Sequence, residues 1–422
     1  MKVLWVSNSP IGPAAEILGE EYRGSSGGWI TSEFDKLDKT GMTFSFLATL
    51  PGVKPGEILH KENGTGAVYC LHAPRLSGGV RPPKDLQELV QKVVDEIKPD
   101  LIQIWGTETW LSNAVARAET SAKKVIFIQG LIGVHQRYLG GYFKNNLCNR
   151  PFCRGGSLLT RAKAVLRNRT FRKQAAIEKE TISLCGNVIV DSDFARSYCA
   201  GISENVRCYT RALLPNELFY QHDWSPDTCE KDTVFTIYGS NSEKGTQNLL
   251  WALSLLKRKH PRVKAVIPGP YRLDPEGKLL PNSRSAFQTT LYRMITALGL
   301  EENVVFPGRL SAQQMAETME KCAAFANTSC MEVHALSLRE AMVVGLPCVT
   351  SLCGSVGEYV RHGENGILYR YEEFEALAYQ LDRVLSDREL AVRLSRGAKA
   401  TFDTRVEGSL SLSEIYGALL AN

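Results

Sequence analysis

The stretch Asn327–Val349, NTSCMEVHALSLREAMVVGLPCV, gives the clearest indication of the fold of the C-terminal half of the chain. An apolar run ends just before it and predicts a strand, and the apolar residues between Leu336 and Met342 recur at helical spacing. A strand, a loop and a helix in this order form one unit of a parallel α/β sheet. Ligands of such sheets bind beyond the carboxyl ends of the strands, where helix N-termini offer free N–H groups to anions. The loop before this helix is therefore the predicted ligand site.

Two carboxylates would lie on either side of a ligand bound at that loop. Glu332 lies on the loop, and Glu340 lies eight residues later inside the predicted helix. A carboxylate accepts hydrogen bonds through two oxygens, which suits a pair of hydroxyls on a ribose or a hexose. The spacing also fits two solvated glutamates, as most glutamates are. Spacing alone leaves both interpretations open.

Outward from this stretch, short apolar runs alternate with helical segments along most of the chain. The clearest helix is Asp85–Ile97, whose apolar residues recur at i, i+3 and i+4. Each strand candidate is continuous in hydrophobicity, as expected of a strand covered on both faces. The candidates are Val3–Ser7, Thr43–Thr49, Ala67–Leu71, Leu101–Gly106, Lys124–Gln129 and Asn187–Asp191, then Thr233–Tyr238, Val263–Ile267, Val304–Phe306, Ala323–Ala326 and Pro347–Thr350. The pattern predicts the α/β class with two consecutive doubly wound, Rossmann-like domains.

A break in periodicity divides the two series. Over residues 214–231, Pro, Asn and Asp accumulate, which predicts an interdomain linker. The N-terminal domain then spans 1–213 and the C-terminal domain spans 232–395. Residues 396–422 read as a helical tail, which we expect to pack back toward the N-terminal domain.

Length and composition exclude several classes of protein. The 422 residues exceed what one core normally holds, and 44% are hydrophobic and 23% charged, which excludes a disordered or fibrous protein. No run reaches the roughly 18 to 20 apolar residues of a membrane span, and the N-terminus lacks a signal-peptide pattern. The eleven cysteines are an odd number without zinc-site spacing. They predict a reducing cytoplasm and no structural metal.

A basic insert occupies residues 131–175, which contain ten Lys or Arg and no acidic residue. The segment carries +10, so the rest of the chain carries −5. This asymmetry predicts an anionic neighbour, either a membrane surface or a charged substrate. The pattern between Leu158 and Ala176 predicts an amphipathic helix, which fits either a membrane surface or core packing with a solvated face. The aromatic residues form no recognisable nucleic-acid module, so no nucleic-acid partner is predicted.

Further motifs accompany the two glutamates. They are Ala341-Met342, Gly345-Leu346-Pro347, Glu358, His362-Gly363-Glu364-Asn365-Gly366, Gly239–Gly245 (GSNSEKG) and Phe306-Pro307-Gly308-Arg309. Together with Glu332-x7-Glu340 they resemble the C-terminal half of the family 4 glycosyltransferases of the GT-B fold. The resemblance implies two Rossmann-like domains facing across a cleft, with the acceptor side in the N-terminal domain and the nucleotide-sugar donor held mostly by the C-terminal domain.

The resemblance also implies a role for each matching residue on the donor side. Glu332 would contact the hydroxyls of the transferred sugar and Lys244 the diphosphate, as the catalytic residues, and Glu340 would hold the ribose. The donor-binding set is Gly239, Ser240, Lys244, Gly245, Arg309, Leu336, Ser337, Leu338 and Glu340. Because the family works without a metal, fixed cations and helix N–H groups have to stabilise the departing diphosphate. We therefore predict no metal and no cofactor.

The N-terminal half contributes a weaker set of candidates. The glycine-rich segment 23–29 (RGSSGGW) follows the first strand and leads into a helix, and the resemblance places Gly27, Gly28 and Trp29 opposite the donor diphosphate. Glu108 and Gln129 follow other strands and are candidates for the acceptor side. A glycine-rich loop without a ligand is the alternative, because the segment lacks the G-x-G-x-x-G spacing.

Two positions depart from the family pattern. Ser240 stands where an Arg usually follows the first glycine, and Gln129 stands where a His often lies near the reaction centre. Arg309 is a candidate replacement for the missing cation. His135, six residues beyond Gln129, receives no role.

The predicted function is that of a retaining hexosyltransferase. It would move a sugar from a UDP- or GDP-linked donor to a saccharide or lipid-linked saccharide acceptor, in the assembly of a cell-surface polysaccharide or glycolipid. The predicted location is the cytoplasm, peripheral to the inner face of the membrane. The alternatives are a non-catalytic nucleotide-sugar-binding partner in an assembly complex and an epimerase or phosphorylase of the same fold. The missing glycine fingerprint argues against a nicotinamide enzyme.

Overall fold

The computed structural model describes residues 1–19, 28–72, 82–142, 148–149, 152, 158–237, 239, 241–280, 286–402 and 409–421, without the side chains of 158–166. The chain divides into two compact units. The first contains residues 1–137, 160–212 and 407–422, and the second contains residues 138–159 and 213–406. Among the described residues, no helix has the length and apolar character needed to cross a membrane.

Eight strands form the sheet of the first unit. They are β1 (Lys2–Val6), β2 (Thr43–Leu50), β3 (Leu59–Asn63), β4 (Gly66–His72), β5 (Leu101–Trp105), β6 (Lys123–Phe127), β7 (Asn187–Val190) and β8 (Arg207–Thr210). Their order is β3-β4-β2-β1-β5-β6-β7-β8, and every neighbouring pair is parallel except β3 with β4. This is a doubly wound sheet, because the strand order extends in both directions from β1.

Among the described residues, seven α-helices connect these strands. They are α1 (Gly12–Leu18), α2 (Gly28–Lys36), α3 (Leu86–Ile97), α4 (Trp110–Arg117), α5 (Ile132–His135), α6 (Leu158–Cys185) and α7 (Asp193–Ala200). Helix α3 forms as predicted, since all of its apolar positions are buried and Lys98 ends it in the left-handed region at φ 49°. A helix forms where the amphipathic helix was expected from Leu158, and it continues to Cys185. The apolar face expected over 158–166 lies outside the described side chains.

The second unit contains a wholly parallel sheet. Its strands are β9 (Thr233–Thr236), β10 (Lys264–Val266), β11 (Val304–Val305), β12 (Ala324–Asn327), β13 (Cys348–Ser351) and β14 (Ile367–Tyr369), in the order β11-β10-β9-β12-β13-β14. Its helices are α8 (Thr246–Leu256), α9 (Ala286–Ala297), α10 (Ala312–Lys321), α11 (Leu336–Val344), α12 (Val356–Tyr359), α13 (Phe374–Ser386) and α14 (Arg388–Phe402). All residues of β9, β12 and β13 are buried, as expected of strands covered on both faces.

Two segments group differently from the sequence-based boundaries. Residues 138–159, placed by the sequence in the basic insert of the N-terminal domain, belong to the second unit. Residues 214–231, predicted as a linker, contribute the buried side chains of Phe219 and Trp224 to the core of that unit. The indole Nε1 of Trp224 donates to the carbonyl of Cys322 at 2.8 Å. Apolar burial, rather than periodicity, holds this segment in place.

The end of the chain is divided between the units. Helix α14 belongs to the second unit, and the last helix, α15 (Leu412–Leu420), packs into the core of the first. The buried hydroxyl of Tyr416 on α15 accepts a hydrogen bond from Trp5 Nε1 at 3.0 Å and donates one to Gln103 Oε1 at 3.3 Å. Both partners lie on central strands of the sheet, so the final helix is part of the first core.

Candidate functional site

The N-cap residue of helix α11, Ala335, provides no side-chain hydrogen bond to the first turn. The N–H groups of Leu338 and Arg339 donate to the carbonyl of Ala335, whereas those of Leu336 and Ser337 precede the helical ladder. Ala335 adopts the left-handed region at φ 43°, which costs an L-residue roughly 1–2 kcal/mol and is typical of functional loops. The Leu338 side chain is buried and its N–H donates within the helix start, so its predicted contact to the donor stays a prediction.

Lys244 and Glu332 form an ion pair at this helix start. Lys244 Nζ lies 2.6 Å from Glu332 Oε1, and the two side chains are 32% and 11% exposed. Burial alone lowers the pKa of Lys244, but the charge of Glu332 and its hydrogen bond outweigh burial, so this pKa lies above its ordinary value. Lys244 is therefore a fixed cation at neutral pH. The structure thus brings together the two residues predicted as catalytic.

Backbone contacts hold the Lys244 loop against the loop after β12. The Thr328 hydroxyl donates to the carbonyl of Lys244 at 2.9 Å, and the Cys330 N–H donates to the carbonyl of Glu243 at 2.8 Å. Gly245 adopts φ 71°, and a Cβ there would overlap the carbonyl of Thr328. Gly239 has little room as well, since a Cβ would lie 2.7 Å from Thr246 Oγ1. Close backbone approach thus requires Gly245, and close side-chain atoms leave little room for a Cβ at Gly239.

Glu340 lies on α11, about one turn beyond the N–H groups of Leu336 and Ser337. It is partly buried, and burial raises its pKa to about 8. Within the described part of the chain, no residue donates a hydrogen bond to its carboxyl group. A carboxyl group without a hydrogen-bond donor and with a pKa shifted by burial, close to a helix start, is typical of a binding residue.

Two further donor-side candidates were predicted from the sequence, Arg309 and Ser240. Arg309 is exposed after Gly308, which adopts φ 82°, and it makes no ion pair with a described residue. Ser240 lies outside the described residues, so its predicted role stays a prediction.

Sequence reasoning missed one contact to the Lys244 loop. The Gly140 N–H donates to Glu243 Oε1 at 2.7 Å, and the Tyr371 hydroxyl donates to the carbonyl of Gly141 at 2.9 Å. Both glycines have positive φ, and a Cβ on Gly141 would overlap the carbonyl of Ser242. The tandem glycine within a basic segment was the signal that could have indicated this close approach.

The acceptor-side candidates lie in the first unit. A Cβ on Gly106 would overlap the Glu108 carboxylate and lie 3.2 Å from Gln129 Cδ, so these two side chains lie together. The Trp29 ring packs 5.4 Å from that of Trp105, which gives it a place in the core. Gly28 begins α2, and Gly27 lies outside the described residues.

In the described part of the chain, no group of three or more His, Cys, Asp or Glu side chains is placed to hold a metal ion. The prediction of metal-independent transfer stays a prediction.

Residues 222–401 match the family model described as glycosyl transferases group 1. This segment includes every donor-side residue discussed above, and it belongs to that family. The resemblance predicted from the sequence is therefore confirmed. Among curated relatives, the N-acetyl-alpha-D-glucosaminyl L-malate synthase of Bacillus anthracis is 28% identical over 110 residues, which are 26% of this chain and 28% of that one. The match spans a third or less of the length of the first such relatives.

Solved structures share the fold along the whole chain. Sucrose-phosphate synthase from Thermosynechococcus elongatus superposes with a TM-score of 0.72 at 18% identity, covering 100% of this chain and 99% of that one. The Anabaena protein HepE, solved in complex with UDP-glucose, gives 0.64 at 18% identity with 100% of both chains covered. The predicted α/β class with two Rossmann-like domains, the GT-B fold, is confirmed.

Proposed function

We propose that this protein is a retaining hexosyltransferase that moves a sugar from a nucleoside diphosphate sugar to an acceptor hydroxyl. The donor is UDP- or GDP-linked, and no metal takes part. The Lys244–Glu332 pair beside the start of α11 carries the proposal. The family match of residues 222–401 supports it.

The chemistry needs a site that stabilises a departing diphosphate. As the bond between the anomeric carbon and the diphosphate oxygen breaks, negative charge grows on that oxygen. Lys244 supplies a fixed cation and the N–H groups of Leu336 and Ser337 supply oriented dipoles, and both are worth most when they are preorganised. Glu332 is then placed to accept hydrogen bonds from sugar hydroxyls, and Glu340 from the ribose.

Retention needs no protein nucleophile in this proposal. The acceptor oxygen forms its bond on the face that the diphosphate leaves, and the departing diphosphate oxygen takes the acceptor proton. The protein contributes position and electrostatics.

We further propose that the acceptor is a saccharide or a lipid-linked saccharide of a surface polysaccharide or glycolipid. The basic segment 131–175, with its +10 charge, supports a peripheral contact to an anionic membrane surface. The Anabaena neighbour binds UDP-glucose, which supports a UDP-linked donor here.

The test is a thermal-shift titration with UDP, GDP, ADP and NAD. A ligand that binds only the folded state adds about 2.7 kcal/mol of stability at 100 times its Kd. We expect one nucleoside diphosphate to stabilise the wild type and Glu389→Gln, whose exposed glutamate lies on α14. The shift should be lost in Glu340→Gln. No shift with any diphosphate would reject the proposed donor site, and a shift with NAD alone would indicate a nicotinamide enzyme.

A further inference from the structure

Glu178 is a fully buried carboxylate on helix α6 that accepts four hydrogen bonds. Its Oε2 accepts from the Thr107 hydroxyl and from the Ile132 N–H, both at 2.8 Å. Its Oε1 accepts from the Gly133 N–H at 2.9 Å and from the Tyr198 hydroxyl at 2.6 Å. These four donors are two hydroxyls and two backbone N–H groups, and none of them carries a positive charge. Hydrogen bonds alone therefore compensate its burial.

Three of the four donors come from segments that leave neighbouring strands, and the fourth, Tyr198, lies on α7. Thr107 follows β5, and Ile132 and Gly133 begin α5 after β6. Both segments emerge at the carboxyl edge of the sheet, since β5 and β6 are parallel neighbours. Through these hydrogen bonds, Glu178 links two adjacent loops to helix α6.

These two loops carry the acceptor-side candidates. Glu108 follows Thr107 directly, and Gln129 lies three residues before Ile132. The Glu108 side chain lies against both loops, because a Cβ on Gly130 would lie 3.0 Å from Glu108 Oε1 and one on Gly106 would overlap its carboxylate. A shift of either loop would therefore move Glu108 and Gln129 relative to each other.

Only a carboxylate satisfies this arrangement. Each of its two oxygens accepts one backbone N–H, and a backbone N–H cannot reverse its direction. A glutamine at 178 must turn its NH2 group toward Ile132 or Gly133, which places two donors face to face. The Thr107 and Tyr198 hydroxyls can rotate, but those N–H groups cannot. Glu178→Gln thus perturbs the loops while keeping the size of the side chain.

We propose that Glu178 is a positioning residue that sets the relative placement of Glu108 and Gln129 for the transfer step. This inference rests on the proposed function, because its catalytic consequence requires a glycosyl transfer. Glu178 itself is buried and does not touch the substrate.

The matched control is Thr181→Val. Thr181 is fully buried on the same helix; its hydroxyl donates to the carbonyl of Ile177 at 2.7 Å and accepts from Asn113 Nδ2 at 3.0 Å. The variant removes two hydrogen bonds of a buried α6 side chain, and neither involves Thr107, Ile132 or Gly133. Thr181→Val therefore measures how far the loss of hydrogen bonds in α6 alone changes exchange and kcat.

The first measurement is amide hydrogen exchange of full-length wild type, Glu178→Gln and Thr181→Val. In Glu178→Gln we expect the Ile132 and Gly133 amides to exchange at least about tenfold faster, equivalent to about 1.4 kcal/mol of local opening. In Thr181→Val those amides should keep the wild-type rate. Equal exchange in wild type and Glu178→Gln would overturn the proposal.

The second measurement is steady-state release of nucleoside diphosphate from UDP-glucose, UDP-galactose, UDP-N-acetylglucosamine and GDP-mannose, normalised to folded protein. Glu178→Gln should lower kcat at least about tenfold and leave the donor KM within about twofold of wild type. Thr107→Val should act in the same direction, and Thr107→Ser should restore the wild-type kcat. Equal kcat losses in Glu178→Gln and Thr181→Val would assign Glu178 a structural role only.

The two proposals fail separately. If the wild type binds no nucleoside diphosphate and releases none from any of these donors, the proposed function is rejected and the catalytic role of Glu178 with it. Binding and release by the wild type, with unchanged kcat in Glu178→Gln, would reject the positioning role alone.

Discussion

Lys244 Nζ and Glu332 Oε1 lie 2.6 Å apart, in a pair that joins two loops from different parts of the second unit. The chain separation is 88 residues. Each member is proposed to contact a different part of the donor, the diphosphate and the sugar. Removing either one leaves the other charge partly buried and unpaired, which costs more than the pair itself contributes.

We therefore expect Lys244→Ala and Glu332→Gln each to lower turnover at least about tenfold, or about 1.4 kcal/mol of transition-state stabilisation. The double variant should lose less than the product of the two single losses, because the residues interact directly. Release of nucleoside diphosphate from the donor measures this, with Lys321→Ala, an exposed lysine of α10, as control. Wild-type turnover in either single variant would refute the assigned roles.

Donor affinity should depend on pH through Glu340. Its pKa in the free protein is about 8, and ribose hydroxyls bind the ionised form best. Below about pH 8, each pH unit should weaken binding by up to about tenfold, with a plateau above it. Calorimetry with a nucleoside diphosphate sugar measures this, because its diphosphate does not titrate there. Glu340→Gln should bind more weakly above about pH 8 and show a flat profile.

Stability should show the opposite trend with pH. The folded-state pKa of Glu340 is raised from 4.5 to about 8 by burial, so the folded chain holds a proton that the unfolded chain releases. The stability contributed by that proton is complete below about pH 4.5 and is lost as pH rises to about 8, by up to about 1.4 kcal/mol per unit. Glu340→Gln keeps its stability over this range. Thermal denaturation should show its advantage growing with pH, whereas Glu389→Gln should track the wild type.

The loop glycine Gly245 should be essential for activity. At φ 71° an alanine is strained, and its Cβ would overlap the carbonyl of Thr328. Gly245→Ala must therefore move Lys244, and we expect turnover to fall at least about tenfold. Gly277→Ala is the matched control, since φ is 80° there with no atom within 4 Å of the added Cβ. It should cost about 1–2 kcal/mol of stability and leave turnover unchanged.

Membrane binding should depend on the exposed cations of α6. Arg169, Arg172 and Lys173 are exposed, and each cation near an anionic surface contributes about 1 kcal/mol. Replacing all three by Gln should weaken binding to anionic vesicles about a hundredfold, and high salt should do the same. Vesicle sedimentation measures this, with the exposed residues Arg262, Arg361 and Arg396 changed to Gln as control. Equal binding to neutral and anionic vesicles would contradict an electrostatic contact.

The three strands that were not predicted from the sequence all lie at sheet edges. β3 (LHKEN) is an antiparallel edge strand with almost no buried residue, β8 (RCYT) is an edge strand without a full apolar run, and β14 (ILY) has three residues. A strand that is buried on both faces appears in the sequence as a continuous apolar run. Edge strands lack this burial and therefore lack the run. Their pairing depends on a neighbour that is distant in sequence.

The sequence by itself determined the alternation of apolar runs and helices, the division into two α/β series, and the Glu332-x7-Glu340 motif, because these signals are local and periodic. Three features follow only from the tertiary structure. Lys244 forms an ion pair with Glu332, and residues 138–159 belong to the second unit. Glu178 accepts hydrogen bonds from two loops. The tertiary structure also raised the pKa of Glu340 to about 8. These contacts join residues that are distant in sequence. They depend on three-dimensional packing, which produces no periodic pattern in the amino-acid sequence.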